Sequence, residues 1–406
     1  MTAPTDTAPF TLLPNAMADP AVRWRPEQEA ILSDAGLANA WAAISAWPGY
    51  APTPLVALPG LAGALGVGAI HYKDEAHRFG LGSFKALGGA YAVARVILRR
   101  AAEAGRPAGM DDLLAGRLAD IAAGLTVCCA TDGNHGRSVA WGAQRFGCHC
   151  VIFIHATVSE GRKTAIEAFD AEVRRTAGNY DDSVREADTT AAREGWVVVS
   201  DTSWPGYTDI PRDVMQGYEV MAAEAFDALP SPPTHIFLQT GVGGMAAAVA
   251  AQAVRRWGAA RPRIILADPD RSACWLDSLR AGKPVAVEGD LDTLMAGLAC
   301  GEVSLLAWEI LCDHCDAVMA IPDDAAVEMM RRLARPQGDP ALVAGESAVA
   351  GLAALALAML DAQARAALGL DGAARVLVFG TEGDTDPVLY RDLVGADADT
   401  VRRGAA

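Results

Sequence analysis

One lysine stands at the start of a predicted apolar helix, where a permanently charged side chain is unusual. Lys85 follows Gly82-Ser83-Phe84 and precedes a run of mostly small and apolar residues, residues 86–98. Burial lowers the pKa of a lysine, and the neutral amine can then attack a carbonyl carbon and form an imine. The same pattern also fits a helix-start lysine whose ammonium reaches out to water. This segment alone leaves both interpretations open.

A second candidate site is a glycine-rich turn between a predicted strand and a predicted helix. The turn contains Gly241, Val242, Gly243 and Gly244. Glycines let backbone N–H groups face an anion, and a helix N-terminus adds positive potential, so the turn suits a phosphate monoester. It lacks the spacing of a dinucleotide-binding turn, because Ala246 takes the place of the third glycine. Tight packing of the helix on the strand is the alternative explanation.

A polar turn follows another predicted strand and comprises Thr131, Asp132, Gly133, Asn134 and His135. The backbone N–H groups of such a turn can bind a substrate carboxylate, and Asn134 can donate to a ring oxygen or to a carboxylate. Asp132 brings a negative charge to this anion-binding turn, although an aspartate here also fits a helix cap. For His135, a packing or turn-stabilising role is the preferred interpretation.

The third turn follows the last predicted strand and contains Thr381. A threonine hydroxyl can hydrogen-bond a pyridine nitrogen without fully protonating it, but a surface turn explains this segment alone equally well.

An imine-forming lysine combined with a phosphate-binding turn favours pyridoxal 5'-phosphate as the cofactor.

The elements that must position these residues are short apolar strands alternating with helices. We predict strands at residues 70–74, 126–130, 150–154, 172–176, 196–200, 235–239, 263–267 and 375–379. Helices are predicted at residues 26–35, 83–104, 136–146, 180–194 and 211–229, and from the glycine turn to Trp257. This alternation predicts a mostly parallel sheet covered on both faces, with ligands at the carboxyl ends of its strands.

Taken together, the order of these segments resembles that of the tryptophan-synthase-β-like, fold-type-II pyridoxal-phosphate enzymes. Within that group the chain is similar to the diaminopropionate ammonia-lyases. The segments that carry the resemblance are residues 84–91, 130–137, 179–182, 295–301, 345–347 and 381–387. Each segment is short, but their combined order is specific to this group.

The resemblance implies an α/β fold with two open, mostly parallel twisted sheets flanked by helices. It further implies a small domain inserted in a large one. We expect a large cofactor-binding domain formed by residues 1–106 and 211–406, and a small, mobile, substrate-side domain formed by residues 107–210. A homodimer is also implied.

The activity that the resemblance implies is elimination of ammonia from 2,3-diaminopropionate, in D and L forms, to give pyruvate and two ammonia. The implied catalytic residues are Lys85, Asp132 and Asp201. Lys85 would take the α-proton of one enantiomer and Asp132 that of the other. Asp201 would bind the β-ammonium or assist its departure. Dehydratases and cysteine synthases of this type usually have serine or threonine in place of Asp132, and the carboxylate suits a diamino acid.

The remaining implied site residues fall into two sets. The residues expected to bind the cofactor are Lys85, Asn134, Gly241, Val242, Gly243, Gly244 and Thr381. The residues expected to bind the substrate are Thr131, Asp132, Gly133, His135 and Asp201. No metal is expected.

Three other functions stay open at this point. A serine or threonine dehydratase would share every cofactor contact and would differ at Asp132 and Asp201. A β-replacement synthase would need a second nucleophilic substrate. A non-catalytic protein that only binds pyridoxal phosphate would show an imine absorbance band that no amino acid changes.

Composition narrows the class of protein. The 406 residues are 51% hydrophobic and carry a formal net charge of −16, which argues against nucleic-acid and anionic-membrane partners. The sequence contains no uncharged apolar run of transmembrane length and no basic, apolar N-terminal signal, so we expect a cytoplasmic protein.

Cys312 and Cys315 have the spacing of a metal site, but no second pair of ligands follows them. Pairing of Cys274 with Cys300 in a disulfide stays open.

Overall fold

The computed structural model describes residues 9–404, except residues 20, 22, 132, 179, 288 and 290 and the side chains of residues 180 and 181. The strands in these residues are β1 (Thr11–Pro14), β2 (Leu55–Ala57), β3 (Ala69–Asp74), β4 (Thr126–Ala130), β5 (His149–Ile154), β6 (Glu172–Arg175), β7 (Val197–Val198), β8 (His235–Gln239), β9 (Arg263–Pro269), β10 (Ala317–Ile321) and β11 (Arg375–Gly380). The α-helices are α1 (Pro26–Ile31), α2 (Asp34–Ser45), α3 (Pro59–Leu65), α4 (Lys85–Glu103), α5 (Met110–Leu114), α6 (Ala119–Ala123), α7 (Asn134–Phe146), α8 (Glu160–Glu167), α9 (Tyr180–Glu194), α10 (Asp209–Ala228), α11 (Gly244–Trp257), α12 (Cys274–Ala281), α13 (Leu305–His314), α14 (Asp323–Ala334), α15 (Ala350–Leu360), α16 (Ala362–Leu368), α17 (Pro387–Val394) and α18 (Ala398–Arg402).

The chain forms two compact units. The first comprises the described parts of residues 1–25, 54–75 and 225–406, and the second comprises those of residues 26–53 and 76–224. The predicted inserted block, residues 107–210, lies within the second unit. Its edges and its movement on substrate binding stay predictions.

The first unit contains a seven-stranded sheet in the order β1-β10-β9-β8-β11-β3-β2. The five inner strands run parallel, and the edge strands β1 and β2 pair antiparallel with their neighbours. Every residue of β8 and β10 is buried, as expected for parallel strands covered on both faces. Gly351 lets α15 approach β8 closely, since a Cβ there would lie 2.8 Å from the carbonyl oxygen of Phe237.

The second unit contains a four-stranded parallel sheet in the order β6-β5-β4-β7. Its strands β4 and β5 are almost fully buried, and α9 packs its alanines on them in a small apolar core around Phe153. The carboxyl end of β4 leads directly into the turn before α7. This sheet therefore positions the predicted polar turn.

Helix α4 packs closely on two neighbours because its first turns carry glycine. A Cβ on Gly89 would lie 1.9 Å from Oγ of Ser138 on α7, and one on Gly88 would lie 2.4 Å from the ring of Tyr218 on α10. Close backbone approach at these positions fixes the start of α4, and therefore the backbone of Lys85.

The predicted α/β class with two mostly parallel sheets is confirmed. Strands β1, β2 and β10 were not predicted. The single helix predicted over residues 26–35 is wrong, because the chain forms α1 and then α2 there. Ser33 causes the break: its hydroxyl accepts a hydrogen bond from the N–H of Gly36 and caps α2.

Within the described residues, no single helix has the length and apolar character needed to cross a membrane. The pair α15 and α16 passes that test together only by length and composition, and it bends by 115° between the two helices.

Candidate active site

Lys85 is the first residue of α4 and lies in the second unit. Its side chain is 20% exposed, and Nζ donates a hydrogen bond to Oδ2 of Asp201 at 2.5 Å. The ring centroids of Phe84 and Tyr218 lie 5.4 and 5.8 Å from Nζ. The amine is therefore held between one carboxylate and two aromatic rings, with limited access to water.

Asp201 follows β7 and keeps a negative charge in this setting. Burial by itself would raise the pKa of its carboxyl, but the charge of the Lys85 ammonium and the hydrogen bond from Lys85 hold that pKa well below its usual range. Asp201 is therefore a carboxylate at neutral pH, suited to binding a cation and poorly suited to donating a proton.

His135 is the second residue of α7 and is buried. Its Nε2 lies 2.7 Å from the carbonyl oxygen of Val199, and its Nδ1 lies 3.8 Å from Oδ2 of Asp201. Burial lowers the pKa of the imidazole, so the ring is neutral near pH 7. The packing role preferred from the sequence accounts for Nε2, which bonds to Val199, but it does not account for Nδ1.

The turn between β4 and α7 is closed by Thr131. Its hydroxyl oxygen accepts hydrogen bonds from the N–H groups of Gly133 and Gly136 at 3.1 and 3.2 Å. Asn134 begins α7. Asp132 lies outside the described residues, so its predicted roles stay predictions.

The glycine turn lies in the first unit between β8 and α11. Gly243 has a φ of 95°, and a Cβ there would lie 2.2 Å from the ring of Trp275. The indole N–H of Trp275 donates to the carbonyl oxygen of Gly241 at 3.0 Å. Close packing against Trp275 therefore accounts for Gly243, while phosphate binding by the first N–H groups of α11, which have no partner within a helix, stays a prediction.

A buried carboxylate supports this turn from behind. Asp268 is fully buried, and one of its oxygens accepts a hydrogen bond from the hydroxyl of Thr240. The other accepts from the N–H groups of Trp275 and Leu276 at 3.0 and 3.1 Å. Asp268 thus joins the residue before the glycine turn to the start of α12.

Asp268→Asn should change how stability depends on pH. Burial raises the pKa of Asp268 to about 7, whereas an unfolded aspartate has a pKa of about 3.9. The stability that Asp268 contributes while it is protonated in the folded protein is therefore complete below about pH 3.9. It is lost as the pH rises to 7. The free energy of unfolding of the variant, relative to wild type, should increase by about 1 kcal/mol per pH unit from pH 5 to 7 and then level off.

Urea denaturation of both proteins at pH 5, 6, 7 and 8 measures this difference. Asp277→Asn, which changes a more exposed aspartate on α12, is the control. A constant difference between Asp268→Asn and wild type across this range would contradict the prediction.

Thr381 lies directly after β11 in the first unit and is buried. The side-chain amide nitrogen of Gln239 lies 2.8 Å from its hydroxyl oxygen, 2.8 Å from the carbonyl of Phe379 and 3.2 Å from that of Ala348. Because an amide NH₂ group only donates, the hydroxyl hydrogen of Thr381 remains available to another acceptor. A pyridine nitrogen is such an acceptor.

Each unit therefore groups part of the predicted set. The second unit brings together Lys85, His135 and Asp201, and the first unit holds the glycine turn and Thr381. The residues that sequence reasoning missed are Tyr218, Gln239, Asp268 and Trp275. Gln239 and Asp268 are polar residues at the ends of apolar strands, a pattern by which the sequence could have indicated them. Tyr218 and Trp275 have no such pattern.

Within the described residues, the cysteines and the other metal-ligating residue types form neither a disulfide nor a metal site. All eight cysteines belong to the described residues and none forms a disulfide, which includes Cys274 and Cys300. Across the part of the chain that the structure describes, no group of three or more His, Cys, Asp or Glu side chains is arranged to hold a metal ion.

Comparison with known proteins gives one consistent relationship. Residues 46–382 match the family described as "Pyridoxal-phosphate dependent enzyme". The diaminopropionate ammonia-lyase of Escherichia coli (strain K12) is 42% identical over 354 residues, covering 85% of this chain and 88% of the relative. That of Salmonella typhimurium is 39% identical over 358 residues, covering 86% and 89%.

A solved structure is similar over almost the whole chain. The Escherichia coli diaminopropionate ammonia-lyase in complex with an aminoacrylate-PLP azomethine reaction intermediate has a TM-score of 0.85 and 37% identity. The alignment covers 96% of this chain and 97% of that chain.

Proposed function

Because the chain belongs to the pyridoxal-phosphate-dependent enzyme family, we propose that it is a carbon–nitrogen lyase that converts 2,3-diaminopropionate into pyruvate and two ammonia. The pairing of Lys85 with Asp201 at 2.5 Å carries the proposal. An ionised carboxylate beside the reactive amine suits a substrate that brings a second ammonium group.

The residues present fit pyridoxal phosphate. Lys85 offers a partly buried amine for its carbonyl group, and the turn from Gly241 to Gly244 offers backbone N–H groups for its phosphate. Thr381 offers a hydroxyl hydrogen to its ring nitrogen. Asn134 is assigned the ring hydroxyl from its place in the sequence motif.

The cofactor, when bound, supplies the carbonyl group and the electron sink that elimination from an amino acid requires. The amine of Lys85 removes the α-proton of one substrate enantiomer. Asp132 is assigned the same task for the other enantiomer from its position in the motif. Asp201 binds the β-ammonium group, which leaves as ammonia. The backbone N–H groups of the polar turn from Thr131 to His135 bind the substrate carboxylate.

Product analysis tests the proposal. Purified protein should release pyruvate and ammonia in a 1:2 ratio from D- and L-2,3-diaminopropionate, and much less from L-serine or L-threonine. Faster release from serine or threonine would favour a dehydratase. A spectrum that no amino acid changes would favour a binding protein without catalysis.

Asp132→Asn should selectively reduce turnover of the D-isomer. Loss of a positioned general base costs about 100- to 10,000-fold, so kcat for the D-isomer should fall by at least about 100-fold. The L-isomer, whose proton is assigned to Lys85, is the internal control and should change little. Steady-state assays with each pure isomer measure the effect, and equal losses for both would refute the stereochemical assignment.

The assembly and location are also proposed. The family resemblance supports a homodimer and a cytoplasmic protein. Analytical ultracentrifugation of the purified protein tests the first statement, and fractionation of the source cells tests the second.

A further inference from the structure

Among the described residues, Nε2 of His135 has a hydrogen-bond partner and Nδ1 has none. A carbonyl oxygen can only accept, so the short contact with Val199 places the imidazole hydrogen on Nε2. The ring is neutral, and Nδ1 therefore carries a lone pair. In the part of the chain that the structure describes, this buried Nδ1 has no hydrogen-bond partner.

The lone pair of Nδ1 lies close to a second acceptor. Oδ2 of Asp201 is 3.8 Å away and belongs to an ionised carboxylate. Two buried acceptors at this distance gain nothing from each other, and burying an unpaired acceptor costs free energy. A donor with two hydrogens, placed at an ordinary hydrogen-bond distance from both atoms, would satisfy the pair.

We propose that Nδ1 of His135 and Oδ2 of Asp201 together bind the β-ammonium group of the substrate, which makes His135 a determinant of diamino-acid specificity. This inference depends on the proposed function. An ammonium group has three hydrogens and can donate to both acceptors, whereas a serine hydroxyl has one and leaves one acceptor unsatisfied. The Lys85 ammonium, bonded to the same Oδ2, shows that this carboxylate oxygen accepts a cation.

Two variants separate the nitrogens of His135. In His135→Gln the side-chain amide can reach the Nε2 position and keep the bond to Val199, but it has no acceptor at Nδ1. In His135→Asn the amide oxygen can take the Nδ1 position, but the bond to Val199 is lost. A purely structural histidine would tolerate the first variant better.

For turnover of 2,3-diaminopropionate, the proposal predicts that His135→Gln is poorly tolerated. In His135→Gln, kcat/KM for 2,3-diaminopropionate should fall by roughly 10- to 100-fold, the effect of one hydrogen bond to a charged group. The value for β-chloroalanine, whose leaving group has no ammonium, should change much less. In His135→Asn both substrates should be affected alike.

A spectroscopic measurement provides a readout that does not need turnover. In the Lys85→Ala protein labelled with ¹⁵N-histidine, the Nδ1 resonance of His135 should sit at the lone-pair position and move upfield on adding 2,3-diaminopropionate, but not on adding serine. The His135→Gln protein assigns the resonance. A protonated Nδ1 before addition, or no shift on adding the diamino acid, would overturn the inference.

Failure of the inference is distinct from failure of the proposed function. A wild-type protein that does not release ammonia from 2,3-diaminopropionate would refute the function. An active wild type, with an unchanged ratio between the two substrates in His135→Gln, would refute only the role of His135.

Discussion

Lys85→Ala should lose lyase activity by on the order of 10⁴-fold, the upper range for a group that acts in proton transfer. The variant lacks the amine that bonds the cofactor carbonyl and removes the α-proton. Borohydride treatment of wild type should fix the cofactor to the peptide that contains Lys85, and the variant should hold no reducible imine. Steady-state assays, absorbance spectra and peptide mapping measure these results.

Lys163→Ala is the matched control, because Lys163 is 29% exposed and is also ion-paired, in its case with Glu167. It should retain activity and the reducible imine. Added methylamine, a small amine that can occupy the space left at position 85, should restore part of the activity of Lys85→Ala. Cofactor fixed to another lysine, or an active Lys85→Ala protein, would contradict the assignment.

The parts of the fold that could be predicted are those with a local signal. Strands β4 and β8 were predicted with the bounds that the structure has, because a parallel strand buried on both faces is a short apolar run. The edge strands β1 and β2 have four and three residues and are partly exposed. They are strands only because they pair with β10 and β3, which are distant in sequence.

For the candidate site, too, the sequence predicts the local motifs but not the long-range contacts. The strand-end turns and the lysine could be found because each has a distinctive local sequence. The contacts that give them chemical properties could not, since Lys85 and Asp201 are 116 residues apart and Gln239 and Thr381 are 142 apart. The neutral state of His135 likewise depends on burial and on the carbonyl of Val199, neither of which the motif specifies.

Asp201→Asn should lower kcat/KM for 2,3-diaminopropionate by about 100- to 1000-fold, the range expected when one partner of a largely buried charge pair is removed. Asparagine keeps the shape of the side chain and can still accept a hydrogen bond, but it lacks the negative charge that attracts an ammonium group. The loss should therefore be largest for a substrate with a β-ammonium and smaller for β-chloroalanine. Assays with both substrates measure the difference.

The matched control for this variant is Asp213→Asn. Asp213 is another buried carboxylate of the second unit, and it also pairs with basic side chains of α4, Arg95 and Arg99. Its loss should weaken the packing of α4 and reduce activity toward both substrates alike, since it has no contact with Lys85 in the described structure. Equal losses for both substrates in Asp201→Asn would instead mean that Asp201 acts by holding Lys85, because only contact with the leaving ammonium produces a difference between them.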